Sequence, residues 1–306
     1  MEPHQLNFLI GPTAVGKTAV AIEWARANNA DILCADAPLV YRGMDIGTAK
    51  PNAQEQAAVK HHGIDWVSCT ESFSVADYIE KARAVVEDVA RRQKQILIVG
   101  GSGFYVKSFF EAVTDGIEVS EEISNRAEEV FEKTGLPGLL KELRNVGGDN
   151  LEGLDLKNPR RVIKALERCL ATGKSFQQLK QEFLSKPAPY ANATKKLVQL
   201  LREKNDLENR IRLRVDMMIN DGLVDEVQKL KDEGIEGNLQ AASVIGYRET
   251  LEYLAGKLSL LQLKEKLVED TLQLARKQRV FFKQLPINES ILLAPGEKAT
   301  AALLFS

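Results

Sequence analysis

Through the first hundred residues, short apolar runs alternate with longer stretches of helical spacing. Leu6–Ile10 is an unbroken apolar run closed by Gly11, the pattern of a buried strand. Ala19–Ala27 follows with Ile22, Ala25 and Arg26 on adjoining turns, which predicts a helix. Ile32–Ala35 predicts a second strand, with Asp36 at its end. Ala76–Arg92 predicts a helix, with Ile79, Val86 and Val89 at turn spacing. Ile96–Val99 predicts a third strand, closed by Gly100 and Gly101. This alternation predicts βαβ units and a parallel sheet.

The texture changes near Asp115. Residues 120–184 are charged and helical in pattern, with breaks at Gly135–Gly138, Gly147-Gly148 and Asn158-Pro159. They predict an all-helical insertion, and Lys186–Tyr190, with Pro187 and Pro189, predicts the return linker. Leu197–Leu201 predicts a further strand, and Asp206–Glu233, Gln240–Leu254 and Ser259–Gln284 predict helices. The expected division is residues 1–115 as the first part of a core, 116–190 as the insertion, and 191–306 completing the core with helices. No internal repeat or low-complexity tract is visible.

Composition narrows the class. A length of 306 residues favours about two domains. Apolar residues at 44% and charged residues at 27% are ordinary for a soluble chain with a sizeable core. The 21 Gly and 10 Pro are too few for a collagen-like or disordered protein. A net charge of −2 excludes a uniformly basic nucleic-acid coat, but not a local basic face. No secretory leader or run of about 20 apolar residues is evident, so no membrane association is expected. Cys34, Cys69 and Cys169 lie far apart, and His4, His61 and His62 have no ligand spacing. Neither a zinc site nor a disulfide framework is expected, and a cytoplasmic protein with reduced thiols is.

The run Gly11, Pro12, Thr13, Ala14, Val15, Gly16, Lys17, Thr18 satisfies G-x-x-x-x-G-K-[ST] between a predicted strand and a predicted helix. Glycines let backbone N–H groups converge on phosphate oxygens, and the helix that follows points its positive end at the same place. Lys17 adds a mobile cation, and Thr18 is positioned to hold Mg²⁺. The expected fold is therefore α/β: a P-loop parallel-sheet core with a mostly helical insertion domain and a helical C-terminal part. Such a loop names a phosphorylated ligand, not a reaction. An ATPase or GTPase normally adds a metal-organising Asp after a second apolar strand, whereas Ile96–Val99 ends in Gly100-Gly101-Ser102. The acidic residue that ends a buried strand near the loop is Asp36, which suits either a metal organiser or a general base.

Five blocks in register point further: Gly11–Thr18, Asp36–Pro51, Gly100–Tyr105, Asn158–Arg161 and Ile245–Glu249. In order and spacing they closely resemble the tRNA dimethylallyltransferase (isopentenyltransferase) family, over about residues 6 to 285. The resemblance implies transfer of a dimethylallyl group from dimethylallyl diphosphate to N6 of the adenine 3′-adjacent to a tRNA anticodon, with Mg²⁺. It implies Asp36 as the base that takes the N6 proton, and Thr13 and Arg214 as contacts to the leaving diphosphate. Arg210 and Arg214, four apart on a predicted helix, share a face, whereas Arg212 points elsewhere.

With the family blocks in place, the basic clusters read as tRNA contacts. One is the run Arg160, Arg161, Val162, Ile163, Lys164, with Arg168 on the same face as Arg160 and Lys164. The other is Arg276, Lys277, Arg279 and Lys283, within eight residues that contain no acid. An adenine extruded from its stack needs a snug wall. Candidates are Ala37, Pro38, Leu39, Ser102, Ser243, Val244, Ile245, Gly246, Tyr247 and Arg248. Phe281 and Phe282 suit base stacking, although adjacent Phe residues on a helix more often fill a core. The pair Ala37-Pro38 stands where the family usually has Ser-Ala, and Ser102 where it has Thr. The expected partners are a tRNA anticodon stem-loop and dimethylallyl diphosphate, with the chain acting as a monomer. Competing readings are an isopentenyltransferase of free adenine nucleotides, a P-loop kinase of a small metabolite, and a nucleotide-gated RNA-binding protein without catalysis.

Overall fold

A computed structural model describes residues 5–305. The strands are β1 (Gln5–Ile10), β2 (Ala30–Cys34), β3 (His61–His62), β4 (Gln95–Gly100), β5 (Thr194–Arg202) and β6 (Glu289–Leu293). They form one parallel sheet in the order β3-β2-β4-β1-β5-β6. The central strands are apolar on both faces because helices cover both, as parallel sheets require. Leu6, Phe8, Leu9, Ile10, Leu33, Leu97 and Ile98 are fully buried.

The helices are α1 (Lys17–Ala27), α2 (Ala53–Ala58), α3 (Val75–Arg91), α4 (Gly103–Lys107), α5 (Glu121–Gly147), α6 (Pro159–Thr172), α7 (Phe176–Leu184), α8 (Lys204–Asn220), α9 (Leu223–Asp232), α10 (Leu239–Ala242), α11 (Tyr247–Leu254) and α12 (Leu260–Phe282). α3 starts where Ser74 and Asp77 form a reciprocal capping box, and it buries Tyr78, Ala82, Val86 and Val89. The single helical stretch expected over 206–233 is two helices. Gly222, in the left-handed conformation at φ 99°, ends one and starts the next.

Two edge strands escape the sequence pattern. β3 is only two residues long, and β6, although it ends in Ile291, Leu292 and Leu293, is largely exposed. β6 extends β5 in parallel register. The segment after it returns to α1, where the Ala301 N–H donates to Glu23 and Phe305 packs edge-on against Trp24 at 5.2 Å.

The chain divides into two compact units. One comprises residues up to Phe110 together with those from Tyr190 onward and carries the sheet. The other, Glu111–Pro189, has its own core, including Ala127, Leu139, Leu143, Val162, Leu166 and Cys169. Within it, α5 bends at Gly135, and α6 starts at an Asn158 cap with Pro159 in the first turn.

The amino end of β2 carries a buried charge cluster. Asp31, with no exposed surface, accepts from Arg92 at 2.7 Å, Lys94 at 3.0 Å and His62 at 2.9 Å. Burial pushes its carboxyl upward, but these three bonds outweigh it and hold the pKa far below the usual carboxylate range. A depressed carboxyl stabilises the fold above its unfolded pKa of about 4, and that contribution is lost as pH falls through the folded value. Asp31→Asn should cost about 3 kcal/mol at neutral pH. That is the low end for a broken buried pair, because Arg92 and Lys94 keep about a third of their side chains in solvent and can rehydrate. In denaturant unfolding, the gap between variant and wild type should narrow as pH falls below about 4.

Candidate active site

The loops after β1, β2 and β4 converge at the carboxyl ends of adjacent strands, the usual ligand crevice of an open parallel sheet. They line a cavity of about 2080 Å³. Gly16 stands at φ 102°, a left-handed conformation that costs glycine little, and it ends the P-loop by starting α1. Thr18, in the first turn of α1, lines the cavity.

The P-loop is held from behind by arginines. α8 buries Leu207, Ile211 and Val215, which leaves Arg210 and Arg214 on the adjoining stripe facing the loop. Arg214 donates to the Thr13 hydroxyl at 3.0 Å, and Arg210 to the Ala14 carbonyl at 2.8 Å. Arg202, at the end of β5, donates to the Val15 carbonyl at 3.0 Å and pairs with Asp206 at 2.7 Å. Arg212 points away and pairs with Glu208. Lys17 Nζ donates to the Gly11 and Pro12 carbonyls at 2.9 and 3.0 Å.

Asp36 follows β2 and faces the same cavity. Its Oδ1 accepts the Gly101 N–H at 2.6 Å. Burial is the largest influence on this carboxyl and pushes its pKa up. Lys17, the Gly101 N–H, Arg214 and the Ser102 N–H oppose that shift without cancelling it. Burial likewise lowers the pKa of Lys17 and Arg214, which repel each other, while Asp36 opposes the fall. Two desolvated cations against one carboxylate favour an anionic ligand.

The Ala37-Pro38 departure leaves this geometry intact. Residues 37–40 form a 3₁₀ turn with Asp36 as its cap and a proline in its first two positions, where a missing N–H costs little. The Ala37 N–H donates to Ser102 Oγ at 2.8 Å, so the hydroxyl of Ser102 is used to dock the turn.

The other sequence-read residues divide. Ala37, Pro38, Leu39, Ser102, Ser243, Val244, Ile245 and Gly246 line the cavity. Tyr247 does not: it is fully buried and its hydroxyl donates to Glu226 at 2.6 Å. Arg248 is also turned away, paired with Glu249 and Asp270. Both belong to the packing of α11 rather than to the cavity wall. Val162 and Ile163 are buried in the core of the insertion unit, so their side chains are not offered to an RNA. Their neighbours Arg160, Arg161 and Lys164 are exposed and line a separate groove of about 480 Å³ within that unit. Lys164 is bonded to Glu167, and Arg168 is paired with Asp115. On α12, Arg276, Lys277, Arg279 and Lys283 are exposed, and Lys277 reaches the cavity lining. Phe282 is core, whereas Phe281 lines the cavity edge-on to Phe104 at 5.2 Å.

Two residues of the site escape the sequence reading. Arg202 looks like the polar end of a strand. Gln278 looks like a neutral gap in a basic cluster, yet its side chain bonds both the P-loop and the Gly101 turn.

Fold and site together define a P-loop α/β protein whose loop cations share one cavity with a half-buried carboxylate. A family profile described as IPP transferase matches residues 39–285. The chain is 44% identical to the tRNA dimethylallyltransferase of Opitutus terrae over 93% of its own length and 92% of that protein's. It is similar to the solved full-length tRNA isopentenylpyrophosphate transferase of Bacillus halodurans, with a TM-score of 0.69, 31% identity, and coverage of 96% of this chain and 92% of that one. A solved eukaryotic dimethylallyltransferase shares the fold at a TM-score of 0.80 and 23% identity, over 96% of this chain and 74% of that one. The chain belongs to the IPP transferase family, that of the tRNA dimethylallyltransferases.

Proposed function

We propose that this chain transfers the dimethylallyl group of dimethylallyl diphosphate to N6 of the adenine 3′-adjacent to the anticodon in tRNA, releasing diphosphate. The observation that carries this reading is the placement of the Asp36 carboxylate and the P-loop around one cavity. The allylic C–O bond breaks with its electron pair going to the bridging oxygen, and charge grows there. The loop N–H groups, Lys17, the Thr13 hydroxyl and Arg214 stabilise that charge. The adenine amine forms the new C–N bond and becomes strongly acidic as it does so. Asp36 takes its proton.

Mg²⁺ dependence is part of the proposal. Among the described residues, no group of three or more His, Cys, Asp or Glu side chains is arranged to hold a metal. Thr18, whose hydroxyl is a hard oxygen donor, lines the cavity and fits a hard cation that binds chiefly through substrate phosphates. Bound there, Mg²⁺ supplies charge neutralisation on the diphosphate.

The exposed cations of α12, and Arg160, Arg161 and Lys164 of the insertion unit, supply phosphate contacts that carry the tRNA while its target base enters the cavity. Among the described residues, no helix is long and apolar enough to cross a membrane. We place the activity in the cytoplasm, with the chain acting as a monomer.

The test incubates the protein with Mg²⁺, dimethylallyl diphosphate and an anticodon stem-loop that carries adenine at the target position. Mass spectrometry should find one C5H8 unit added to that adenine. Prenylation of free adenine nucleotide with the stem-loop untouched, or consumption of ATP, would overturn the reading.

A further inference from the structure

We infer that Gln278 is a positioning residue that ties the diphosphate loop to the carboxylate base. Its amide spans two active-site segments. Oε1 accepts the Thr13 N–H at 2.9 Å, and Nε2 donates to the Gly101 carbonyl at 3.0 Å. The other side of the same glycine, its N–H, bonds Asp36 Oδ1 at 2.6 Å. A continuous chain therefore runs from the P-loop through one side chain of α12 to the carboxylate.

The close approach depends on the glycine at position 101. A Cβ at Gly101 would stand 2.3 Å from Gln278 Nε2 and 3.1 Å from Asp36 Oδ1, so the glycine lets both groups approach. Turns this tight move as units, and an error of about 1 Å at reacting groups can cost on the order of a hundredfold in rate. Gln278 also fixes the orientation of Thr13, whose hydroxyl is held by Arg214. The two ends of the reaction, leaving group and base, are thus registered against each other by one residue outside both motifs.

The inference rests on the proposed transferase reading, and the experiment separates the two. Gln278→Ala removes both bonds, while Gln278→Met removes them and keeps most of the volume. Both are compared with wild type in the stem-loop assay, with kcat and KM measured across pH. We expect kcat to fall about tenfold to a hundredfold in both variants. Without Gln278, the Gly101 N–H holds the Asp36 carboxylate less well, so the acid limb of kcat/KM moves to higher pH. The charged and titratable groups that act on Asp36 include Lys17, Arg214, Cys34 and Tyr78, and from α12 Lys277 lines the same cavity. A residue that only packs α12 would lower the melting temperature without moving that limb.

Wild-type kcat and limb in Gln278→Met would overturn the inference, as would a loss of kcat with the limb unmoved. An inactive wild type would instead overturn the function proposed above.

Discussion

Asp36→Asn should reduce turnover by about 10²- to 10⁴-fold, the range for loss of a general base. Asparagine keeps an oxygen for the Gly101 N–H, so the turn after β2 is preserved and the variant isolates proton acceptance. Substrate binding should change little, and the loss should fall on kcat in steady-state assays with the stem-loop. The wild-type pH profile checks the same residue. A base must be unprotonated to act, and burial raises the pKa of Asp36 above the ordinary value of about 3.9. The rate should therefore fall on the acid side at a pH above the usual carboxylate range, and the limb should vanish in the residual activity of Asp36→Asn. An Asp36→Asn enzyme with wild-type kcat would remove Asp36 from the role of base.

Lys17→Met should lower kcat by about 10²- to 10³-fold, the scale for loss of one preorganised charge at a developing oxyanion. It should also raise the KM for dimethylallyl diphosphate. Methionine retains much of the stem, so the loss reports the ammonium group rather than packing. Lys17 now donates to the Gly11 and Pro12 carbonyls, bonds it must exchange for phosphate oxygens when the ligand arrives. It also acts on Asp36, being the strongest influence that holds that carboxyl down against burial. Without it, the acid limb should move to higher pH. A variant with altered KM but unchanged kcat and limb would reduce Lys17 to a binding contact.

The two predictions draw on different levels of information. Asp36 is legible in the chain because it closes a buried strand, and Lys17 because it occupies a fixed position of the phosphate-loop motif. The separation of Arg212 from Arg210 and Arg214 is equally legible, because α-helical period alone assigns the faces. Phe281 and Phe282 illustrate the limit. Period puts them on neighbouring faces, but only the packing shows that one fills the core and the other lines the cavity. Tyr247 and Arg248 mark the same limit from the other side. Their block lies next to cavity-lining residues, yet α11 turns them toward Glu226, Glu249 and Asp270.

The local pattern of this chain determined the βαβ core, the phosphate loop, the place of Asp36 at the end of a strand and the helical nature of the insertion. Each of these depends on residues a few positions apart, within reach of backbone period and turn chemistry. Tertiary structure decided the pairing of β6 with β5, the arginines behind the P-loop, the fate of the Ala37-Pro38 turn and the bridge made by Gln278. In these the partners are far apart in sequence, Thr13 and Gln278 being separated by 265 in residue number. No local propensity encodes such a contact, because it exists only once the sheet order has brought the ends of β1 and β4 together beside α12.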